Sequence, residues 1–334
     1  MTLGALAFTL AFGVLVAPQS AVEAQQPGKV YRIGMLNISA IDPAVRPALV
    51  VREQAFKDGL RAHGWVEGQN IVIERRHVGG RVERLPELAA ELVRLGVDVL
   101  VTSSGDPAIN TLKQATSTIP IVMVLSADPV GSALVQSLAR PGGNVTGLSL
   151  MAVELGAKRL QFLKEAVPRA SRVAVLWNAA SPDKGLELRN TEAAAQSLGV
   201  TLRPTEVRVP GDFAGAFSAI LKGRPHALVV FSEPLTSSHQ KLIVEFALKN
   251  RLPIISEVKE FAESGALMTY GPNFPEMYRQ AASYVDRILR GAPPASLPVQ
   301  QPTKFEFVIN MKTAKALGLT IPPSLLLRAD QVIE

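Results

Sequence analysis

Between residues 30 and 290 the chain alternates short apolar runs with longer amphipathic stretches, and this rhythm limits it to few folds. The runs VYRIGML (30–36), NIVIERR (70–76), VDVLVTS (97–103) and IPIVMVL (119–125) occupy the first half. RVAVLW (172–177), VTLRPTEV (200–207), HALVVF (226–231), LPIIS (252–256) and ALMTYG (266–271) occupy the second. Helical periodicity fills the intervals, at 45–63, 82–95, 106–116 and 130–139, then at 153–166, 184–198, 212–222, 236–250 and 274–290. Short strands separated by longer helices predict βαβ units, hence parallel sheets covered on both faces. Two halves of equal rhythm predict an α/β fold of two doubly wound, Rossmann-like parallel-sheet lobes.

Three segments are expected to cross between the lobes. NVTGLSL (144–150) leads out of the first, GPNFPE (271–276) leads back, and the Pro-rich GAPPASLPVQQPTKFEFVIN (291–310) reads as a tether that crosses again. The expected division is an N-terminal lobe of 29–148 with about 274–300, and a C-terminal lobe of 149–273 with about 301–334. Each crossing carries Gly or Pro, which predicts a three-segment hinge at 147–151, 271–275 and 296–306. Within SADPVGSALVQSLARPGGNVTG (126–147), Asp128 as N-cap and Pro129 in the first turn predict the helix at 130–139. Arg140-Pro141-Gly142-Gly143 would end it.

The N-terminus reads as a targeting segment. MTLGALAFTLAFGVLVAP is apolar, and Val22 and Ala24 fit a small-residue cleavage pattern that places the cut before Gln25. No Lys or Arg precedes the apolar run. Its uninterrupted core is short for a spanning helix. Loss of 1–24 as a signal peptide removes one acidic residue, Glu23, and moves the net charge from +6 to +7. The chain has no cysteine, which excludes a disulfide scaffold, a lipid-modified cysteine and cysteine catalysis. A soluble exported protein is expected.

The remaining composition excludes several functions. The basic charges are scattered and aromatics are 5%, so no nucleic-acid partner is expected. The four histidines, His63, His77, His226 and His239, form no metal-spaced pair. There is no G-x-S-x-G elbow, no Walker A sequence and no G-x-G-x-x-G after a strand. No metal, no cofactor and no enzymatic activity are therefore expected.

Ligands in parallel α/β sheets sit beyond the carboxyl ends of the strands. In the first lobe that rule selects Asn37 and Ser39, then Ser103, Ser104 and Gly105, then Ser126 and Asp128. In the second it selects Asn178 and Ser181, Ser232 and Glu233, Ser256 and Glu257, and Tyr270. TSSGDPAIN (102–110) places two hydroxyls and a glycine before a helix, a layout suited to a carboxylate, with Asp106 either competing with that ligand or serving as a cap. Asp128, Glu233 and Glu257 could meet an ammonium, or cap and face solvent. Tyr270 could stack on a planar ligand or belong to the core. Trp65 is expected to pack under its turn, and Trp177 stands at a strand end beside Asn178.

Three stretches carry a resemblance: AFKDGLRAHGWVEGQNIVIERR, DPVGSALVQSLARPGGNVTG and the long segment from ALMTYGPNFPEMYRQ to the C-terminus. They resemble the ABC-transporter substrate-binding proteins of the tryptophan/tyrosine-type family. The resemblance runs from about residue 30 to the end and implies the type I periplasmic-binding-protein fold. It implies a periplasmic, monomeric receptor that closes on a small polar ligand, in some members an aromatic amino acid. The implied partner is an ABC transporter permease in the inner membrane. The alternatives are an exported α/β enzyme with an unrecognised Ser/Asp site, and the effector domain of a transcriptional regulator. The latter needs an N-terminal DNA-binding segment where this chain has its signal-like stretch.

Overall fold

The computed structural model describes residues 29–38, 47–79 and 81–334. The signal-like segment 1–24 and Ser39 lie outside them. The first lobe opens with strand β1 (Tyr31–Asn37), helix α1 (Pro47–Ala62), β2 (Ile71–His77), α2 (Leu85–Arg94), β3 (Val99–Thr102), α3 (Gly105–Ala115), β4 (Ile121–Ser126) and β5 (Val145–Ser149). The five strands run parallel in the order β2-β1-β3-β4-β5.

After β5 come α4 (Ala152–Ala166), β6 (Arg172–Asn178), α5 (Pro182–Ser197), β7 (Thr201–Val207), α6 (Phe213–Lys222), β8 (Ala227–Val230), the short α7 (Pro234–Ser238), α8 (Gln240–Lys249) and β9 (Ile254–Ser256). Then follow α9 (Lys259–Glu263), β10 (Met268–Pro272), α10 (Phe274–Leu289), β11 (Phe305–Asn310), α11 (Met311–Leu317), α12 (Pro323–Leu326) and β12 (Gln331–Ile333). The second sheet has the order β12-β11-β10-β9-β8-β6-β7.

Period-two alternation explains the layering. Ile33 and Met35 of β1, Val99 and Val101 of β3, and Val122 and Val124 of β4 face one core with α1 and α10. Leu36, Leu100, Ile121 and Met123 face the opposite way, against Leu88 and Leu92 of α2 and Ile109 and Leu112 of α3. The second sheet repeats the scheme: Leu228 and Val230 face α6, α8 and α9, while Val229 and Phe231 face α4 and α5. Helix α10 opens on Asn273, whose side chain accepts from the Glu276 N–H at 2.8 Å. It packs along α1, where Gly59 permits the approach: a Cβ there would stand 2.8 Å from that of Ala282.

Two expectations need correction. No helix forms at 130–139; the chain there makes consecutive turns. Asp128 is not a helix cap, for its carboxylate accepts from the Gly131 N–H at 2.8 Å and closes a turn. Ala133 adopts a left-handed φ of 54°, which no helix interior allows. Ser132 instead donates to Asp106 Oδ2 at 2.5 Å, so a contact from another segment outweighs helical periodicity. The second correction concerns 305–310, expected as tether. It is β11, antiparallel to β10 with Tyr270 opposite Phe307, so this sheet is not wholly parallel.

The crossing segments bind one another. Leu148 bridges Gln300 in parallel, with Ser149 N donating to Gln300 O at 2.9 Å and Gln300 N to Gly147 O at 3.0 Å. Thr146 Oγ1 donates to Leu297 O at 2.6 Å, and Asn273 N to Lys304 O at 3.0 Å.

Candidate functional site

The strand ends of the two sheets face each other across a cleft of about 470 Å³. From the first lobe it is lined by Asp106, Pro107 and Asn110 of α3 and by Gly131 and Ser132 of the turn after β4. Ala180 and Leu186 line it from the second lobe.

Asn37, Ser103 and Ser104 come together at the ends of β1 and β3. Ser103 donates to Asn37 Oδ1 through its hydroxyl at 3.1 Å and through its N–H at 3.4 Å. Ser104 Oγ accepts from the Ile38 N–H at 2.8 Å and is buried. It therefore ties the loop after β1 to the start of α3, while Ser103 remains partly open. Gly105, at φ +72°, turns the chain into α3. The buried Tyr278 on α10 lies beneath, its hydroxyl against Ser103; burial raises its pKa and Arg52 opposes that rise.

Asp106 is not the helix cap that sequence offered as one reading. Its carboxylate is buried and accepts from the Ser126 hydroxyl at 2.8 Å as well as from Ser132. Ser126 is thus committed to holding Asp106 and is itself fully buried. This carboxylate in the first turn of α3 occupies the anion-favouring end of that helix.

In the second lobe, Asn178 donates to Glu233 Oε2 at 2.9 Å and accepts from Ala180 N at 2.9 Å. Glu233 caps α7, accepting from the Leu235 and Thr236 N–H groups at 3.0 and 2.7 Å. Ser181 stands just before α5 with its N–H on Asn178 O at 3.2 Å. Ser232 and Ser256 share a hydrogen bond of 2.9 Å, both buried. Tyr270 stands apart from these polar groups: its ring meets Phe162 edge-on at 4.9 Å and lies near-parallel to Phe305 at 5.9 Å. Burial raises its pKa, with Asp330 adding to the effect. Trp65 packs as expected, edge-on to Tyr31 and donating to Asp286 at 2.8 Å. Trp177 packs against the core beneath α4 and α5.

Sequence reasoning missed a buried charge cluster behind these loops. Arg159 of α4 pairs with Glu187 of α5, and its Nη1 lies 3.6 Å from Glu257 Oε2. Lys184 Nζ lies 3.0 Å from the second Glu187 oxygen. All four side chains are at most 5% exposed. The only advance signal was the acidic Glu257 at a strand end; the other three look like ordinary solvated helix charges.

Among the described residues no group of three or more His, Cys, Asp or Glu side chains could hold a metal ion. No helix among them is long and apolar enough to cross a membrane.

Two lobes built on largely parallel sheets, joined by paired crossing segments and facing across a cleft, define a type I periplasmic-binding-protein fold. The family described as "ABC transporter substrate binding protein" matches residues 37–333, and the chain belongs to it. A tyrosine-binding protein of Clostridioides difficile is 26% identical over 284 residues, 85% of this chain and 81% of that protein. A conserved domain protein of Vibrio cholerae superposes with a TM-score of 0.84 at 29% identity, covering 91% of this chain and all of that one. An ABC domain of Streptococcus pneumonia in complex with L-Trp superposes at 0.83 with 26% identity, covering 91% and 99%.

Proposed function

We propose that this substrate-binding protein is an exported receptor that closes its lobes on a small polar ligand, an amino acid of the aromatic kind, and delivers it to the permease of an ABC importer. The observation that carries the reading is the cleft itself. At about 470 Å³ it lies in the range of small-molecule sites, and both lobes contribute to its lining. The tyrosine-binding and L-Trp-bound relatives support an amino acid as ligand. Residues 1–24 act as the signal peptide, and the mature protein works as a monomer outside the cytoplasm. The lobes divide near 148, 273 and 300, where the crossing segments pair. Ser103, three residues before the cleft-lining Asp106, meets the ligand, and Asn37 holds its hydroxyl in place.

The test is thermal denaturation of the mature protein with each of the twenty standard amino acids. A ligand that binds only the folded state stabilises it by about 2.7 kcal/mol at a hundredfold excess over Kd. A binder should raise the melting temperature and be recovered chemically unchanged. If none of the twenty shifts the transition, the amino-acid reading is wrong.

A further inference from the structure

One ion pair spans the two lobes and takes no part in the reading above. Arg52 on α1 places Nη2 2.5 Å from Glu260 Oε1 on α9. Helix α1 follows β1 and α9 follows β9, so both begin on the cleft side of their sheets. The guanidinium also stacks on Phe274, the first residue of α10, 4.4 Å from the ring centroid. One turn further along α10, the Tyr278 hydroxyl lies against Ser103 and feels the charges of Arg52 and Glu260. Arg52 therefore stands beside the polar group at the ends of β1 and β3.

The pairing leaves much of the guanidinium unused. Arginine presents five N–H donors in a planar fork that matches a carboxylate edge-on. Among the described residues, Glu260 is the one hydrogen-bond and ion-pair partner of Arg52, through Nη2, with Nε and Nη1 unengaged. The side chain is 12% exposed, and neither donor is among the fully buried atoms that lack a partner, so both remain open to a ligand. Asp106 holds a buried carboxylate in the first turn of α3, three residues after Ser103. A ligand carboxylate reaching Ser103 is better held where a cation stands near it. Among the described residues, Arg52 is a cation that shares the Tyr278 hydroxyl's surroundings with Ser103.

We propose that Arg52 anchors the carboxylate of the ligand, with Glu260 and Phe274 holding the guanidinium flat and ready. This inference rests on the receptor reading. The measurement is isothermal titration of the mature protein with the tightest binder among the twenty amino acids and with its α-carboxamide. The unmodified protein should bind the acid at least about tenfold more tightly than the amide, as expected for a lost charged hydrogen bond. Arg52→Gln should lose about tenfold or more in affinity for the acid and should no longer separate acid from amide. Glu260→Gln should still separate acid from amide, because the guanidinium that makes the distinction remains. If Arg52→Gln fails to fold, as seen by its melting curve, Arg52→Lys is read instead by its reduced acid-to-amide ratio. Equal weakening in both the Gln variants, with acid and amide still separated, would make the pair an interlobe latch and overturn the proposal. So would an Arg52→Gln variant that binds unchanged. Failure of the unmodified protein to bind any amino acid would be a different result, and it would remove the receptor reading itself.

Discussion

Glu187 is fully buried between two cations, and that position determines what its loss should do. Burying charges costs several kcal/mol each in lost hydration, and their mutual attraction offsets this only while the set stays neutral. Glu187→Gln removes the carboxylate that Arg159 and Lys184 share. The expected loss is about 3–5 kcal/mol of folding stability, read from urea denaturation; a change below 1 kcal/mol would mean that the cluster relaxes into water. A second residue gives a pH dependence. His226 Nδ1 accepts from the N–H groups of Ser171 at 3.1 Å and Arg172 at 3.3 Å. Burial, then the charges of Arg172, Arg169 and Lys164, hold its pKa below the ordinary imidazole value. The unfolded chain therefore takes up the proton more readily. The contribution of His226 is full above the unfolded pKa and is lost as pH falls through the folded one. Stability should decline as pH falls below about 6.5, and His226→Asn, which keeps an acceptor but cannot titrate, should flatten that part of the curve. Neither residue was legible beforehand. Arg159 and Glu187 are 28 positions apart, and nothing in a helix pattern distinguishes a buried charge from a solvated one.

At the scale of elements, close approach makes the sharpest demand at the α1–α10 contact. Gly59→Val should push α10 away from the sheet, because the new Cβ meets the Arg279 carbonyl oxygen at 3.0 Å and the Ala282 methyl at 2.8 Å. Both are parts of a packed helix and cannot swing aside. Overpacking of this kind costs about 1–3 kcal/mol, visible as a lower urea midpoint; an unchanged midpoint would show that α1 and α10 can separate freely. Most elements were legible in the sequence because apolar alternation and helical periodicity are local. The turns after β4 were not. SALVQSL has a helical spacing, yet Asp106 draws Ser132 toward α3 and Asp128 closes on Gly131. Strand β11 was also missed, since its sequence FEFVIN follows a Pro-rich run that reads as linker. The site was legible as a set of loops, through the strand-end rule. Which side chains within them are already engaged, such as Ser104, Ser126 and Glu233, depends on contacts between segments far apart in the chain.

For the whole molecule, the paired crossings suggest where motion should concentrate. The strands at 147–149 and 300 are bonded to each other, and few torsions need change for the lobes to rotate. Gly147, at φ +134°, lies so close to the bulge in β4 that a Cβ would stand 2.0 Å from Met123 O. A ligand can shift the balance between open and closed forms only by its difference in affinity for them. Small-angle scattering should therefore show a smaller radius of gyration at saturation with a verified ligand than without it. Equal radii, with the free protein in an open form, would contradict closure.

The packing of α10 also sets the order in which the molecule can be made. Helix α10, Phe274–Leu289, completes a core whose other parts, Ile33, Phe56 and Val101, leave the ribosome far earlier. The first lobe thus waits, half assembled, while the second is synthesised. A nascent chain released before residue 274 should be readily digested by protease across residues 29–148, whereas one extended past 300 should resist. Such a delay keeps the chain threadable during synthesis.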